Sequence, residues 1–443
     1  MIIENFLLPR FLILELVFAC HYLQYARASA ALCTHNCGAQ GVKQLLSNSV
    51  DAVEEEEQEE EVVVEWIGHI EEVEEEAEVE GEACEVAVEK VGWQFPPLMF
   101  RESGRPALPV AGRAELVVRV RPGRGLVLGC PGQLRDSRGL RCEGGRLLAN
   151  STGWPVRLAE AGCGADPRGE EAGTGTECGP GGRGRLSQLG FRMSGRLTPL
   201  LTVCHREEGE VTHYTSHSLP GHLLTARPPV SRPNFREGDL YYRSVSAAKA
   251  YRQSEQRASL EEVGAWDPDL GLFLARGHLV PQADMLYPDW QQLTFFYSNT
   301  VPQWQVINNG NWRAVEEAVR EQSGRAGRGL EVVTGALGVL QLLGRELYLA
   351  GDNIPVPNWV WKAVRDPSTG HSIVMLTSNN PQLVRYTRSQ AVCPDRCEET
   401  GWASALQHRL NHSRGLTVCC EAEQFRQAVP WLPLPPSRNI LAF

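Results

Sequence analysis

After its first 30 residues, the 443-residue sequence contains no uncharged apolar run of the ~18 residues that a membrane-spanning helix requires. This absence excludes a transmembrane helix from that part of the chain. Apolar residues are also slightly scarce for a globular protein, at 42% of the chain. Aromatic residues are ample, however, with 11 Trp, and the length exceeds that of one ordinary domain. We therefore expect most of the chain to fold, with a sizeable core.

The N-terminus is typical of a secretory signal. Residues 11–20 form an apolar run, interrupted by Glu15, and residues 28–30 (Ala-Ser-Ala) form a small-x-small cleavage site. The alternatives, a membrane anchor or a buried helix, are disfavoured because the run is too short to span a bilayer and the cleavage site follows at a suitable distance. We predict that residues 1–30 are a signal peptide and that the mature protein is secreted, extracellular and free of membrane segments.

The cysteine content agrees with export. Twelve cysteines remain once Cys20 leaves with the signal, and an even number in an oxidising compartment indicates several disulfides, although sequence does not give their pairing. A zinc site is the alternative for the four C-terminal cysteines, Cys393, Cys397, Cys419 and Cys420. Two of these four are adjacent, which is a poor spacing for zinc ligands, so we predict disulfides. Residues 150–152 and 411–413 are N-glycosylation sequons, which predict a glycoprotein.

Acidic residues are concentrated in one segment. Residues 31–92 carry 19 acidic and two basic side chains, a formal charge of −17, while the whole chain carries −11. Because residues 1–30 are formally neutral, residues 93–443 carry +6, and a mildly basic body suits a polyanionic ligand. Residues 51–90 are typical of a disordered, solvated linker or propeptide. A second hypothesis is that they mimic polyphosphate and cover the basic body until they are removed.

The rest of the chain divides into two regions that differ in composition and in predicted secondary structure. Residues 93–190 are rich in Gly, Arg and Cys, and their short apolar runs, such as residues 114–120 and 126–128, predict a small, disulfide-linked, β-rich accessory domain. From residue 191 onward, short strands and helices alternate. Apolar residues at 312, 315 and 319 predict an amphipathic helix over residues 311–322. Residues 191–443 are therefore predicted to form an α+β domain around a central antiparallel sheet.

Two motifs give this second region a chemical identity. Residues 274–285 read LARGHLVPQADM, and residues 298–317 read SNTVPQWQVINNGNWRAVEE. The pair resembles the DNA/RNA non-specific endonuclease family, in which a D-R-G-H run precedes Pro and Asp, followed by S-N-x-x-P-Q and then N-x-x-x-W-x-x-x-E. All these landmarks occur here in order except the first Asp, which is Ala275. The resemblance covers roughly the last 250 residues and is strongest to secreted arthropod double-strand nucleases, which share the Tyr241-Tyr242 region and the cysteine-rich tail.

The resemblance implies a ββα-metal nuclease core with helices flanking the sheet. It also implies an endonuclease that hydrolyses phosphodiester bonds of DNA, RNA or double-stranded RNA with little sequence specificity and leaves 5′-phosphate ends. The implied cofactor is Mg²⁺ or another divalent cation such as Mn²⁺. No zinc finger or candidate recognition helix is evident, so contacts to the nucleic-acid backbone should dominate over base recognition.

Residue chemistry supports the same assignment. His278 is the candidate general base, because an imidazole has its ordinary pKa near ~6.5, and Gly277 beside it permits close approach of backbone or phosphate. Asn308 is the candidate metal ligand, since it lies four residues before Trp312 and its amide oxygen is a hard donor suited to Mg²⁺. Asn309 and Asn311 are nearby alternatives, and Asn308 could also serve as a helix cap.

The remaining site residues follow from the same motifs. Glu316 lies two helical turns after Asn308 and is predicted to accept hydrogen bonds from metal-bound water. Arg276 is predicted to bind phosphate, with a structural ion pair as its alternative. Asn299 matches the family asparagine that supports the active site, and Gln303 matches a scaffold position.

Ala275 is the departure from the family pattern. An alanine cannot replace the hydrogen bonds of the family aspartate, so the metal environment is expected to differ from the general pattern; Asp284 either compensates in part or is structural. Ala275 also motivates the alternative function, a catalytically weak or inactive secreted nucleic-acid-binding protein on the same scaffold. A disulfide-rich adhesion module would explain the first half of the chain but leaves residues 274–317 unexplained.

Overall fold

The computed structural model describes residues 81–87, 91–111, 116–132, 137–221, 232–241, 245–265, 272–387, 392–437 and 439–443. The predicted signal peptide, most of the predicted acidic segment, Cys33, Cys37 and Tyr242 lie outside these residues. Within the described ranges, no helix has both the length and the apolar character needed to cross a membrane.

Residues 81–149 contribute two small antiparallel sheets. Their strands are β1 (Cys84–Ala87), β2 (Leu98–Arg101), β3 (Val110–Ala111), β4 (Leu116–Val120), β5 (Gly125–Gly129), β6 (Ser137–Glu143) and β7 (Arg146–Ala149). The spatial orders are β1-β4-β3 and β2-β5-β6-β7. The Cys84–Cys142 disulfide connects the first sheet to the second, and the Cys130–Cys163 disulfide holds the loop that follows β5. The strands predicted over residues 114–120 and 126–128 are confirmed.

The remaining described strands build the central sheet and three short pairs. They are β8 (Glu170–Cys178), β9 (Gly184–Met193), β10 (Arg196–Arg206), β11 (Val211–Leu219), β12 (Leu274–His278), β13 (Thr300–Trp304), β14 (Leu330–Val339), β15 (Gln341–Leu342), β16 (Arg345–Glu346), β17 (Tyr348–Leu349), β18 (Ile354–Pro355), β19 (Pro357–Arg365), β20 (Ser372–Ser378) and β21 (Thr417–Cys420). The central sheet has the order β21-β20-β19-β14-β11-β10-β9-β8, and all its pairs are antiparallel. This confirms the predicted α+β class.

The N-terminal edge of this sheet extends beyond the predicted nuclease region. The predicted boundary between residues 190 and 191 falls inside β9, which pairs with β10 along its length. β8 is the edge strand next to β9. The Cys178–Cys204 disulfide further ties β8 to β10. Residues 170–190 are therefore part of the central sheet.

Most of the described helices are short, and the longest of them covers Arg313–Ala326. They are α1 (Ala247–Ala250), α2 (Gln253–Glu262), α3 (Pro288–Gln291), α4 (Gln305–Ile307), α5 (Arg313–Ala326), α6 (Trp402–Ala405) and α7 (Ala422–Arg426). α5 confirms the helix predicted from periodicity, since Val315 and Val319 are buried together with the preceding Trp312. It ends at Gly327, whose positive φ of 63° is a conformation that glycine adopts without a steric penalty.

Both faces of the central sheet are covered. Neighbouring residues alternate between two apolar clusters: Val332, Val360 and Ile373 join one, whereas Val333, Trp361 and Val374 join the other. The first cluster includes α5 residues, and the second includes Phe425 of α7. Because the central strands are covered on both sides, consecutive residues are buried, as in β20, where all seven residues are buried and the middle four are apolar.

The C-terminal cysteines form disulfides, as predicted. Cys393 pairs with Cys420, and Cys397 pairs with Cys419. Asp395 lies near the second pair, but its neighbours Cys397 and Cys419 are joined to each other and are not available as thiolate ligands. The zinc alternative for these four cysteines is therefore wrong.

Candidate active site

Three of the predicted residues line one open cleft of about 410 Å³. His278 is the last residue of β12, Asn308 begins a π-helical turn over Asn308–Trp312, and Glu316 lies in α5. A second cavity of about 350 Å³ lies beside β11, β13 and β14. It is lined largely by apolar side chains and, within the described residues, by none of the predicted site residues. The chemistry therefore belongs to the larger, more polar cleft.

The Arg-Gly-His run is shaped by its pairing with β13. β12 and β13 are antiparallel, with Ala275 opposite Gln303 and His278 opposite Thr300. A Cβ atom on Gly277 would lie 2.7 Å from Gln303 Oε1 and 3.0 Å from the Val301 carbonyl oxygen. The glycine is required because the neighbouring strand leaves no space for a side chain.

Asn299 fixes the chain immediately after His278. Its amide oxygen accepts a hydrogen bond from the Val280 backbone N–H (3.0 Å), and its amide nitrogen donates to the carbonyls of Val280 and Thr294 (2.9 Å each). The side chain is fully buried and is not among those that line the cleft. Asn299 thus holds the backbone that follows His278, and the hydrogen bonds of its side chain all go to backbone groups.

His278 is surrounded by aromatic rings. Its ring centroid lies 5.1 Å from that of Phe235 and 5.0 Å from that of Phe295. Nε2 is buried and has no hydrogen-bond partner among the described residues. Burial, with a smaller contribution from the positive charge of Arg232, lowers the pKa of His278 to about 3. The imidazole is therefore neutral, which is the protonation state that a general base requires.

Arg276 shares this aromatic environment but does not line the cleft. Its Nε donates a hydrogen bond to the Tyr297 hydroxyl (3.1 Å). Its guanidinium carbon lies 5.2 Å from the centroid of the Phe235 ring and 5.8 Å from those of Tyr251 and Tyr297. Contacts of this kind stabilise a cation through the ring electrons. Phe235, which sequence analysis did not identify, is therefore the side chain that Arg276 and His278 have in common.

The three candidate asparagines occupy different environments. Asn308 lines the cleft, is partly exposed, and makes no side-chain hydrogen bond within the described residues. Asn309 is exposed. Asn311 is buried and donates to the carbonyls of His408 (2.8 Å) and Gly415 (2.7 Å). Asn311 is therefore occupied in anchoring the turn, whereas the side chain of Asn308 is available to a ligand.

The turn that presents Asn308 is held against the C-terminal tail. Gly310 departs from helical geometry, with φ −92° and ψ −119°. A Cβ atom there would lie 2.6 Å from the carbonyl oxygen of Arg414. Close packing against residues 408–415 thus explains both the glycine and the widened turn.

Glu316 lies above a buried group of charged residues. Burial raises the pKa of the Glu316 carboxyl to about 7, although Lys362 and Arg320 oppose the shift. Beneath it, Asp284 forms hydrogen bonds with His217 Nε2 (3.0 Å) and Arg320 Nη1 (2.8 Å). Burial alone would raise the pKa of Asp284, but these two partners lower it to about 2. Of the two roles left open for Asp284, the structure supports the structural one.

Lys362 completes this group from β19. It is fully buried, and its Nζ donates to Thr334 Oγ1 (2.5 Å) and to the Leu279 carbonyl (3.3 Å). Burial lowers its pKa. Sequence analysis missed Lys362, Arg320 and His217; a lysine inside the otherwise apolar run of β19 was the available signal.

The cleft residues fit a divalent cation. The Asn308 amide and the Glu316 carboxyl supply oxygen donors of the kind that Mg²⁺ and Mn²⁺ prefer. Burial opposes the ionisation of the Glu316 carboxyl. A divalent cation nearby would favour the ionised form of this carboxyl.

Comparison with known proteins identifies the family of the chain. The model of the DNA/RNA non-specific endonuclease family matches residues 183–425. The chain is 31% identical over 320 residues to a salivary endonuclease from Lutzomyia longipalpis, covering 70% of this chain and 73% of the relative. It is 27% identical over 261 residues to a salivary endonuclease from Culex quinquefasciatus, covering 57% of this chain and 67% of the relative.

One solved structure also overlaps part of the chain. The crystal structure of the EndoG/EndoGI complex matches 42% of this chain and 74% of its own, at 18% identity and a TM-score of 0.32. An overlap this weak transfers no residue role.

Proposed function

Because the chain belongs to the DNA/RNA non-specific endonuclease family and is an endonuclease, we propose that it hydrolyses DNA and RNA backbones with His278 as general base and a divalent cation at Asn308. The observation that carries this proposal is that His278, Asn308 and Glu316, from separate elements, line one cleft. Their oxygen and nitrogen atoms suit the two requirements of phosphodiester hydrolysis, an activated water and charge neutralisation at phosphorus.

In the proposed reaction, His278 takes a proton from a water molecule whose oxygen attacks phosphorus. Nε2 is enclosed, so Nδ1 is the nitrogen that accepts this proton. A new P–O bond forms as the bond to the 3′ oxygen breaks, and this oxygen takes a proton from solvent water while His278 returns its proton to solvent, leaving 5′-phosphate and 3′-hydroxyl ends. Bound at Asn308, Mg²⁺ or Mn²⁺ supplies neutralisation of the phosphate charge and assistance to the departing oxygen. Glu316 accepts hydrogen bonds from water around the Asn308 site.

Cationic side chains at the cleft provide the proposed substrate contacts. Arg232 and Arg313 are exposed and line the cleft, so both can reach a phosphate without losing an ion pair inside the core. A bound phosphate near Arg232 would also offset the positive charge that lowers the pKa of His278, and so strengthen the base. Phosphate binding stays the proposed role of Arg276, although its described contacts are the Tyr297 hydroxyl and three aromatic rings and its side chain does not line the cleft. Backbone contacts of this type predict salt-sensitive binding with little sequence preference.

The site of action is proposed to be extracellular. The two relatives described above are named salivary endonucleases, and the predicted signal peptide and the disulfides of the described residues agree with secretion. A digestive or antiviral role in removing nucleic acid fits such a location.

The test is a substrate panel on the purified, secreted protein. Plasmid DNA, single-stranded RNA and double-stranded RNA are incubated with Mg²⁺, with and without EDTA. We expect EDTA-sensitive cleavage, and a loss of about 100-fold to 10,000-fold in His278→Ala. His371→Ala, a change outside the cleft, is the matched control and should leave the rate unchanged. Binding without cleavage would establish the non-catalytic alternative, and full activity of His278→Ala would refute the assigned base.

A further inference from the structure

Among the described residues, His278 Nε2 has no polar partner of the kind that usually orients a catalytic histidine. In most sites that use an imidazole as a base, the second ring nitrogen donates to a carboxylate or a carbonyl, and this bond selects the tautomer. Here Nε2 is buried and has no such acceptor in the described part of the chain. Some other interaction must hold the ring in place.

Two phenylalanine rings pack against the imidazole, and in the described residues Nε2 is buried without a polar partner. Phe235 packs on the imidazole with an interplanar angle of 43°, and Phe295 meets it edge to face at 78°. The two phenyl centroids are themselves 4.9 Å apart, so the three rings form one packed group. An N–H directed at ring electrons is weakly attractive, worth about 0.5–1 kcal/mol, whereas a bare nitrogen lone pair in the same position is repelled. The surroundings of Nε2 therefore favour a protonated Nε2.

Phe235 is fixed well enough to act in this way. The neighbouring Arg236 backbone N–H donates to the Phe295 carbonyl, and the Tyr297 N–H donates to the Arg236 carbonyl (2.9 Å each). The Arg236 guanidinium also lies 4.0 Å from the centre of the Phe296 ring. These bonds tie the segment that carries Phe235 to the residues that precede β13.

We propose that Phe235 is a positioning residue that, together with Phe295, holds His278 with its proton on Nε2 and Nδ1 free toward the cleft. This inference rests on the proposed function of His278 as the base. The aromatic pair takes the place of a polar orienting group, and Phe235 also aligns Arg276 with His278 because its ring contacts both side chains.

Charged groups around the ring have to be considered in any pH measurement. Arg232 belongs to the same segment as Phe235, and the guanidinium carbon of Arg276 lies 5.2 Å from the centroid of the Phe235 ring. The opposite side of the cleft presents cations and carboxyls of α5, namely Arg313, Glu316, Glu317 and Arg320. The change from Phe235 to another uncharged residue alters none of these charges, so a shift in the pKa of His278 reports the aromatic enclosure itself.

The test is ¹⁵N NMR of the full-length secreted protein, labelled at histidine and kept metal-free with EDTA. A His278→Gln spectrum assigns the signal. We expect wild-type His278 to show the Nε2–H tautomer and to remain neutral below pH 6. Phe235→Leu should admit water to Nε2, mix the tautomers and raise the pKa of His278 by at least one unit. Phe235→Tyr, which keeps the ring, should preserve both properties.

Activity provides the second measurement. Phe235→Leu is expected to lower kcat by about 10-fold to 100-fold with little change in KM, and Phe235→Tyr should restore most of it. Phe425→Leu, which removes a buried ring that packs on Trp361 on the other side of the sheet, is the matched control and should leave the His278 spectrum unchanged. An unchanged tautomer and pKa in Phe235→Leu would overturn the inference. The NMR result requires no turnover, so it stands or falls separately from the nuclease assignment.

Discussion

The two walls of the cleft are held in place by different forces. The strand wall consists of β12 and β13, and the helix wall consists of residues 305–326. On the helix wall, Asn311 donates to tail carbonyls and Arg320 donates to Asp284. On the strand wall, His278 Nε2 and both amide atoms of Gln303 lack partners within the described ranges, as do Trp312 Nε1 and Arg320 Nε on the helix wall. The walls differ in that the helix wall contains the buried ion pair between Arg320 and Asp284, whereas no ion pair involves the described residues of β12 and β13. Removing a charged or polar side chain that supports the helix wall should therefore lower the stability of the protein. On the strand wall, a change in side-chain volume should lower the stability more than the removal of a polar group does.

The largest expected effect comes from removing the charge that anchors the helix wall. Asp284→Asn leaves Arg320, Lys362 and His217 without their buried counter-charge, and we expect a loss of about 3–5 kcal/mol in the free energy of unfolding at neutral pH. The measurement is chemical denaturation, with the exposed Asp352→Asn as control. A loss below about 1 kcal/mol would show that the helix wall does not depend on this charge group.

The same substitution has a defined pH signature. Because the folded protein lowers the pKa of Asp284 from 3.8 to about 2, the ionised form contributes its stabilisation fully above about pH 4. That contribution is lost as the pH falls from about 4 to about 2. The wild-type protein should lose stability over this interval, and Asp284→Asn should lack this component of the acid transition.

The next effect tests which asparagine of the helix wall serves the metal. Asn308→Ala is expected to reduce kcat/KM by about 100-fold, with partial recovery at high Mg²⁺, because its half-buried side chain lines the cleft at the position that the family pattern assigns to the metal ligand. Asn309 also lines the cleft but is exposed, so Asn309→Ala is the matched control and should stay within about twofold of wild type. Equal losses in the two variants would contradict the assignment.

On the strand wall, adding a methyl group should lower the stability of the fold more than removing a polar group. Gly277→Ala forces a methyl group against Gln303 and the Val301 carbonyl, and should destabilise the fold by about 1–3 kcal/mol. Gly173→Ala in β8 has no neighbour closer than 3.9 Å to the added methyl group and is the matched control. Thermal unfolding of both proteins measures the difference, and equal midpoints would argue against close contact between β12 and β13.

The smallest effect is predicted for the unpartnered amide of the strand wall. Gln303→Met keeps the volume of the side chain and removes two buried polar atoms that have no partner in the described structure. We expect the stability to change by less than about 1 kcal/mol, or to rise, with activity retained. A loss above about 2 kcal/mol would mean that Gln303 is hydrogen-bonded after all, and the contrast between the walls would no longer hold.

Sequence analysis succeeded where signals are local. The spacing of Trp312, Val315 and Val319 predicted α5, because the period of a helix is visible in the sequence of the helix itself. The resemblance of the two motifs to the nuclease family singled out His278, Asn308 and Glu316, and these three line one cleft. The sequence also predicted that Gly277 permits close approach of another group. It did not identify that group as β13, the neighbouring strand that leaves no space for a side chain.

Long-range contacts set the limit of that prediction. Phe235 reaches His278 from a segment about forty positions earlier, and Lys362 reaches the Leu279 carbonyl from β19. Neither pairing leaves a periodic signature in sequence, because each depends on which strands and loops become neighbours after folding. The same reason explains Asn299, whose motif match indicated the active site but whose side chain bonds backbone behind it.

The continuity of the central sheet across residue 190 has a practical consequence for making the protein. A recombinant chain beginning at residue 191 would lack β8 and most of β9, so that the backbone edge of β10 would be left open and Cys204 would carry a free thiol. Exposed strand edges of this length pair with other chains and promote aggregation. Soluble expression of the catalytic region should therefore begin before Glu170, in a secretory or otherwise oxidising host.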